Sequence, residues 1–219
     1  MKRVTRSIKN EPATGSGAVV RFLGRFFGIS LVLALTMVSC TDHPEPEGDR
    51  PSLHLAASEQ MVIPAGVDLP PNQPNGNSRV ATYFARGVQK YKAREKPGSG
   101  PVTYEWVFVA PEADLYDATN AKIGTHFAGP SWQLAGPNAL IVAQAYAPPK
   151  TASKDANSID WLLLMPKAGT TPTGIFQEVD YIQRIATTGG KAPATPPASA
   201  TETVDVPYTA VYRFSKINP

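Results

Sequence analysis

Apolar and polar positions alternate with period two over long parts of this chain. Val102, Tyr104, Trp106 and Phe108 fall on one face of an extended segment, with Thr103 and Glu105 on the other. Val204, Val206, Tyr208, Ala210, Tyr212 and Phe214 repeat the pattern opposite Asp205, Thr209, Arg213 and Ser215. Such alternation is that of half-buried antiparallel strands. Pro207 cannot donate to a ladder, so the first half of the second stretch is expected at an edge or a bulge. Residues 176–185 alternate less cleanly. Val179, Tyr181 and Ile185 share a face with Gln183, while Ile182 lies opposite with Glu178, Asp180 and Arg184. The β-branched and aromatic content there still predicts a strand. Shorter strand candidates are 61–63, 79–84, 88–92, 123–127, 140–145 and 161–165; the last is continuously apolar and predicts a central strand.

Turn chemistry separates these segments. Asn75-Gly76-Asn77, Lys96-Pro97-Gly98-Ser99-Gly100, Gly129-Pro130, Gly136-Pro137-Asn138 and Pro148-Pro149 all interrupt regular structure. Asp117-Ala118-Thr119-Asn120 reads as a hairpin tip, and 187–201, rich in Gly and Pro, as a long loop. Beyond the N-terminal region no ten-residue stretch has a strong helical period. About ten short strands predict an all-β fold, a single antiparallel β-sandwich or barrel-like domain over residues 53–217.

The first 52 residues follow another pattern. Residues 1–25 are basic, and a 13-residue apolar run, 26–38, precedes Ser39-Cys40. A bilayer span needs about 20 apolar residues, whereas this length suits the core of a signal peptide. The ending Met37-Val38-Ser39-Cys40 resembles the bacterial lipobox. That resemblance implies a signal peptide over 1–39, cleavage before Cys40 and a lipid anchor on its thiol. The membrane is then the expected partner and the cell envelope the expected location. Thr41 is compatible with delivery to an outer membrane, and the acidic residues that follow resemble surface-export signals. The Pro-rich, acidic stretch 40–52 reads as a tether.

Charge changes meaning once that leader is set apart. The full chain carries +3, but six of its 21 basic residues and one of its 18 acids precede Cys40, leaving 15 basic against 17 acidic, or −2. Nucleic acid is therefore not an expected partner. Cys40 is the only cysteine, so no intrachain disulfide forms.

Five motifs occur in order along the domain: Ala85-Arg86-Gly87-Val88-Gln89-Lys90-Tyr91; Trp106-Val107-Phe108-Val109-Ala110-Pro111-Glu112-Ala113-Asp114-Leu115; Ile123-Gly124-Thr125-His126-Phe127-Ala128-Gly129-Pro130-Ser131-Trp132; Trp161-Leu162-Leu163-Leu164; and Tyr181-Ile182-Gln183-Arg184 with Thr188-Gly189-Gly190-Lys191-Ala192-Pro193. Residues 62–214 thereby resemble the domain of unknown function 3455 family. The resemblance implies a secreted, β-rich domain and no established activity. Many members of the family carry a Cys just after the first motif and another after the Gly-Gly-x-Ala-Pro stretch. Here those places hold Lys92-Ala93 and the Cys-free run 194–203. If the family cysteines pair, this chain lacks the whole bridge, whose removal typically costs about 2–5 kcal/mol.

His126 is the only histidine well inside the folded part. It is a candidate general base or ligand contact, with Glu112 or Asp114 to orient it, or else a hydrogen-bonded structural residue at a strand end. Trp132, beside a turn, is a candidate stacking platform for a ring or sugar, whereas Trp106 and Trp161 are expected in the core. Glu112, Asp114 and Asp117 could act as paired carboxylates or simply shape turns. There is no G-x-S-x-G elbow, H-E-x-x-H, Walker loop or G-x-G-x-x-G, and no cofactor or metal is expected. The first functional expectation is an envelope-anchored module that binds a small molecule, glycan or protein. The alternatives are a hydrolase or lyase using His126 with Glu112 or Asp114, and a purely structural envelope protein.

Overall fold

The computed structural model describes residues 49–98, 100–136 and 139–219. The expected signal segment 1–39, Cys40 and residues 41–48 of the expected tether lie outside them. The described residues form eight antiparallel strands: β1 (Asn77–Glu95), β2 (Tyr104–Tyr116), β3 (Lys122–Phe127), β4 (Ser131–Leu134), β5 (Leu140–Ala152), β6 (Trp161–Pro166), β7 (Tyr181–Gly189) and β8 (Thr203–Ile217). Each pairs with its neighbour in sequence, and β8 returns to pair with β1 from Asn77↔Ile217 to Lys92↔Thr203. The sheet therefore closes into an up-and-down barrel, the all-β class expected from the alternation.

Fewer and longer strands replace the ten short ones. Segments 79–84 and 88–92 merge into the 19 residues of β1. Pro148-Pro149 lies within β5, where the register shifts between Ala145 and Lys150. A bulge absorbs residues that have no ladder partner, so the strand survives the two prolines. Segment 61–63 is not a strand, and the short β4 was not expected. Asp117 to Asn120 does form the β2–β3 hairpin tip, where the Asp117 carboxylate accepts from the Thr119 and Ala121 amides at 2.8 and 3.1 Å. A bond from the Thr119 hydroxyl, with those two amide bonds and against the effect of burial, holds its carboxyl below the ordinary carboxylate range.

Parity assigns each residue to the inside or the outside of the barrel. Tyr83, Ala85, Ala113, Leu115, Trp132, Ile141, Ala143, Leu164, Ile182, Ala210, Tyr212 and Phe214 form the inner core. The far end is plugged by Phe176, fully buried on the 3-10 turn Gly174–Phe176, and by Val179. Interior rings stack towards that plug: Trp132 meets Phe214 edge-on at 5.6 Å, and Phe214 meets Phe176 at 4.8 Å.

A second cluster lies outside the barrel. The helix α1 (Pro51–Glu59) begins with a proline at its first turn, where no N–H is missed. Its buried stripe is Pro51, Leu55 and Ser58. With Val67 on the strap that follows, Leu55 covers Phe84, Trp161, Leu163, Tyr181, Ile185 and Val211. Two polar side chains beneath this cover are anchored to its backbone: Arg213 Nη2 donates to Ser58 O at 2.6 Å, and Gln183 Nε2 donates to Val67 O at 2.7 Å. The outer cover explains why 161–165 is continuously apolar: Leu162 and Leu164 face in, while Trp161 and Leu163 face the strap.

At the other end the strands are unequal. The β2–β3 ladder begins at Ala113↔His126 and the β7–β8 ladder ends at Gly189↔Tyr208. The segments 90–95, 104–110 and 203–207 thus continue as a three-stranded flap beside the barrel mouth. Pro207 sits where β8 has outrun β7, an edge position as its chemistry requires. The two places where family members carry cysteines lie side by side in this flap, with Lys92 opposite Thr203 and Ala93 N donating to Glu202 O at 2.8 Å.

Glycine permits the tightest approach between β1 and β2. A Cβ on Gly87 would lie 2.1 Å from Glu112 O and 2.4 Å from Ala113 Cα, both backbone atoms that cannot swing aside. Gly87→Ala is expected to lower stability by about 1–3 kcal/mol, read as a lower urea midpoint. Val88→Ala, facing outward one residue later, should cost less than about 1 kcal/mol. Equal losses in the two variants would show that strand approach at Gly87 does not limit the barrel.

Candidate functional site

His126, Trp132, Tyr212, Gln89 and Arg184 come from five different strands and meet inside the barrel below the flap. They line a cavity of about 280 Å³, walled by Phe108, Val109, Pro111, Pro130, Ala145, Leu162 and Leu164. A bulge in β2, where Lys90 pairs with Ala110 but Tyr91 with Phe108, lets both Phe108 and Val109 reach the rim. A hollow of about 400 Å³ adjoins the cavity and shares Gln89, Phe108, Leu162 and Arg184 with it. Another hollow, about 480 Å³ along β3 and β4, is lined by none of these residues.

The cavity polar groups are incompletely satisfied. Gln89, Trp132 and Tyr212, which line the cavity, and Tyr208, which lies beside Tyr212 and Gln89, are each at most 2% exposed. Yet Gln89 Nε2, Trp132 Nε1 and the hydroxyls of Tyr208 and Tyr212 complete no hydrogen bond. These groups nevertheless lie within reach of one another: the Tyr208 hydroxyl is beside Tyr212 and Gln89, and the Tyr212 hydroxyl is beside Arg184. Burial is the largest effect and raises both tyrosine pKa values, so both hydroxyls stay protonated. A buried donor without an acceptor costs about 1–3 kcal/mol, and native proteins rarely leave several in one place. Arg184 is fixed at the mouth by Nε and Nη2, which donate to Asp160 O at 3.1 and 2.8 Å.

His126 is 2% exposed and stacks on Trp132 at 4.5 Å and 14°. Its Nδ1 lies 2.8 Å from Ser131 O. A carbonyl can only accept, so Nδ1 carries the proton in the neutral ring. Burial, aided by the Arg184 charge and opposed by that bond, holds its pKa down to about 3. A ring this weakly basic is neutral across physiological pH and ill matched to general-base work there.

The structure brings together some of the expected site residues and separates others. His126 and Trp132 share the cavity, although Trp132 is fully buried and stacks on His126 rather than presenting an exposed face. Glu112 and Asp114 lie across the barrel wall. Ala113, opposite His126 in the ladder, faces inward, so the residues either side of it face outward. There Glu112 pairs with Lys90 Nζ at 2.5 Å and Asp114 with Lys122 Nζ at 2.8 Å. Neither carboxylate reaches the imidazole. Asp117 serves its turn. Trp161 is buried in the outer cluster, whereas Trp106, expected in the core, stands on the flap and donates to Thr195 O at 2.9 Å. Gln89, Arg184 and Tyr212 were not singled out from sequence. The available signal was Arg184 on the face of β7 that also carries Ile182, which closure turns inward.

The buried imidazole couples stability to pH. The unfolded chain takes up the His126 proton near 6.5, and the folded chain only near 3. Between these values the unfolded state binds more protons, so stability is fully present above about 6.5 and falls as pH drops. From pH 7.5 to 5.5 the wild type should lose about 1.4 kcal/mol more than His126→Gln in urea titrations. Parallel pH profiles for the two proteins would contradict the buried neutral ring.

Among the described residues no group of three or more His, Cys, Asp or Glu side chains is placed to hold a metal. No curated protein and no solved structure matches the chain. The family pattern described as "Protein of unknown function (DUF3455)" matches residues 74–216, from just before β1 to the end of β8. That match covers well over half of the sequence, and the chain belongs to the DUF3455 family.

Proposed function

We propose that this protein is an envelope-anchored binding module whose barrel takes one small molecule into the cavity below the flap. The observation that carries the reading is the set of unsatisfied buried polar atoms beside an apolar cavity open at one end. Eight strands enclose an interior that side chains can fill or that can hold one small ligand. Here aromatic rings fill the half nearest Phe176, and the half nearest the flap stays open. A volume of about 280 Å³ is at the lower end for ligand pockets, about 300–1,000 Å³, which suits a body of one or two rings. Phe108, Val109, Leu162 and Leu164 supply the apolar contact, and the rim residues Phe108 and Val109 are about half exposed.

The anchor reading rests on the leader and on Cys40. It is supported by the outer wall, which carries the Lys90–Glu112, Lys122–Asp114 and Arg94–Glu105 pairs. A lipid-facing wall carrying basic residues would lose about 2–4 kcal/mol for each near mid-membrane. The barrel is thus suited to water, tethered beside a bilayer rather than embedded in it.

Two experiments test these readings. Naphthalene-2-carboxamide and naphthalene-2-carboxylate, titrated calorimetrically into the full-length detergent-solubilised protein, should give saturable heats from at least one compound. Ala145→Trp, which puts a large ring at the rim, should abolish them. Heats absent for both, or unchanged by Ala145→Trp, would exclude this cavity as the site. For the anchor, Cys40→Ser should stay uncleaved or become soluble, seen as a mass and fractionation change. A processed, membrane-bound Cys40→Ser protein would contradict lipidation.

A further inference from the structure

We infer that the cavity selects a ligand with an anionic head, a carboxylate or its equivalent, over a neutral molecule of the same shape. The inference rests on the binding reading above and adds the chemical class of what is bound. It follows from the kinds of polar groups left without partners. Trp132 Nε1 and Gln89 Nε2 can only donate, and the Tyr212 hydroxyl holds a proton to donate. Apart from His126 Nε2, an acceptor in the neutral ring, the groups here offer donors, which complement a head made of acceptors. Water would satisfy some of these donors but would not meet the charge beside them.

That charge is Arg184. Its guanidinium lines the cavity and the adjoining hollow. Two of its nitrogens donate to a neutral carbonyl, Asp160 O, which fixes the plane of the fork, and the guanidinium lies within hydrogen-bonding reach of the Tyr212 hydroxyl. Among the described residues no carboxylate forms an ion pair with it. The nearby acids are otherwise engaged or turned away. Asp155 accepts from the amides of Asn157 and Ser158 at 2.8 Å, and Glu112 and Asp114 are outside the wall. Asp160 lines the adjoining hollow together with Lys191 and Arg184, so that hollow holds two cationic residues and one carboxylate. A held, uncompensated guanidinium beside an apolar cavity is the arrangement that recognises a carboxylate through paired N–H bonds. The phenol of Tyr212 and the amide of Gln89 would complete the ring of donors, while the apolar wall takes the body of the ligand.

The matched naphthalene compounds test this directly, because they share a ring system and differ in charge. With the full-length protein in detergent at pH 7.5, and micelles alone as blank, the carboxylate should bind at least about tenfold more tightly than the carboxamide. Arg184→Gln, which can still donate to Asp160 O, should erase that preference and leave carboxamide affinity within about threefold. Should Arg184→Gln fail to fold, Tyr212→Phe removes one donor without touching the charge, and it should weaken the carboxylate more than the carboxamide. Equal affinity of the two compounds, with Ala145→Trp still blocking both, would overturn the anionic head and keep the cavity. Binding of neither would overturn the cavity reading itself.

Discussion

The pairing of β8 with β1 is the constraint on which the rest of the molecule depends. It joins the two ends of an eight-stranded meander over nearly the whole length of β1. Without it the strands would form an open sheet with two long edges, a known liability. With it every side chain is either inside or outside, and the interior becomes a finite volume. The close approach at Gly87 and the bulges in β1–β2, β5–β6 and β7–β8 are the local bends that let the sheet curl back on itself.

Closure also explains how apolar and polar groups are distributed. The inner surface is packed with aromatic rings at the plugged end and lined by unsatisfied donors towards the mouth. Burying donors without partners works against folding, so their concentration in one open-ended cavity is costly wherever a purely structural barrel would suffice. The outer surface is divided too. One sector is covered by α1 and the strap, which anchor Arg213 and Gln183. Another, along β1 to β3, is exposed and set with ion pairs that contribute little to stability but keep the wall wettable. The strand order then gives the mouth its flap, because β1, β2 and β8 run on past the ends of the ladders made with β3 and β7.

Much of this was legible in the sequence. Period-two alternation located β2 and β8, apolar and β-branched content located β1, β3, β5, β6 and β7, and turn residues located the β2–β3 tip and the breaks near 96–100 and 129–130. Four-residue β4 was too short to show a period. The helix α1 has only one buried stripe in nine residues, below what a helical period reveals. Pro148-Pro149 signalled a break because a local rule cannot foresee a bulge that keeps the strand in register on either side. The candidate site divided the same way. His126 and Trp132 stood out by residue type and by the turn between them. Gln89, Arg184 and Tyr212 did not, since strands far apart in sequence bring them together and each looked like an ordinary member of an alternating segment.

The sequence by itself determined most of the strands, the relative sides of the residues within each, and the family. Those features follow from local chemistry: alternation, turn propensity and the order of the five motifs. Only the tertiary structure decided which face of each strand is inside. That choice puts Glu112 and Asp114 across the wall from His126, and turns Arg184 inward with Ile182. It also places the polar face of β8 under a helix, so that Arg213 is buried although it alternates with apolar residues as a solvent-facing one would. The physical reason is that alternation fixes relative sides within one strand, whereas inside and outside are defined only when the first strand meets the last.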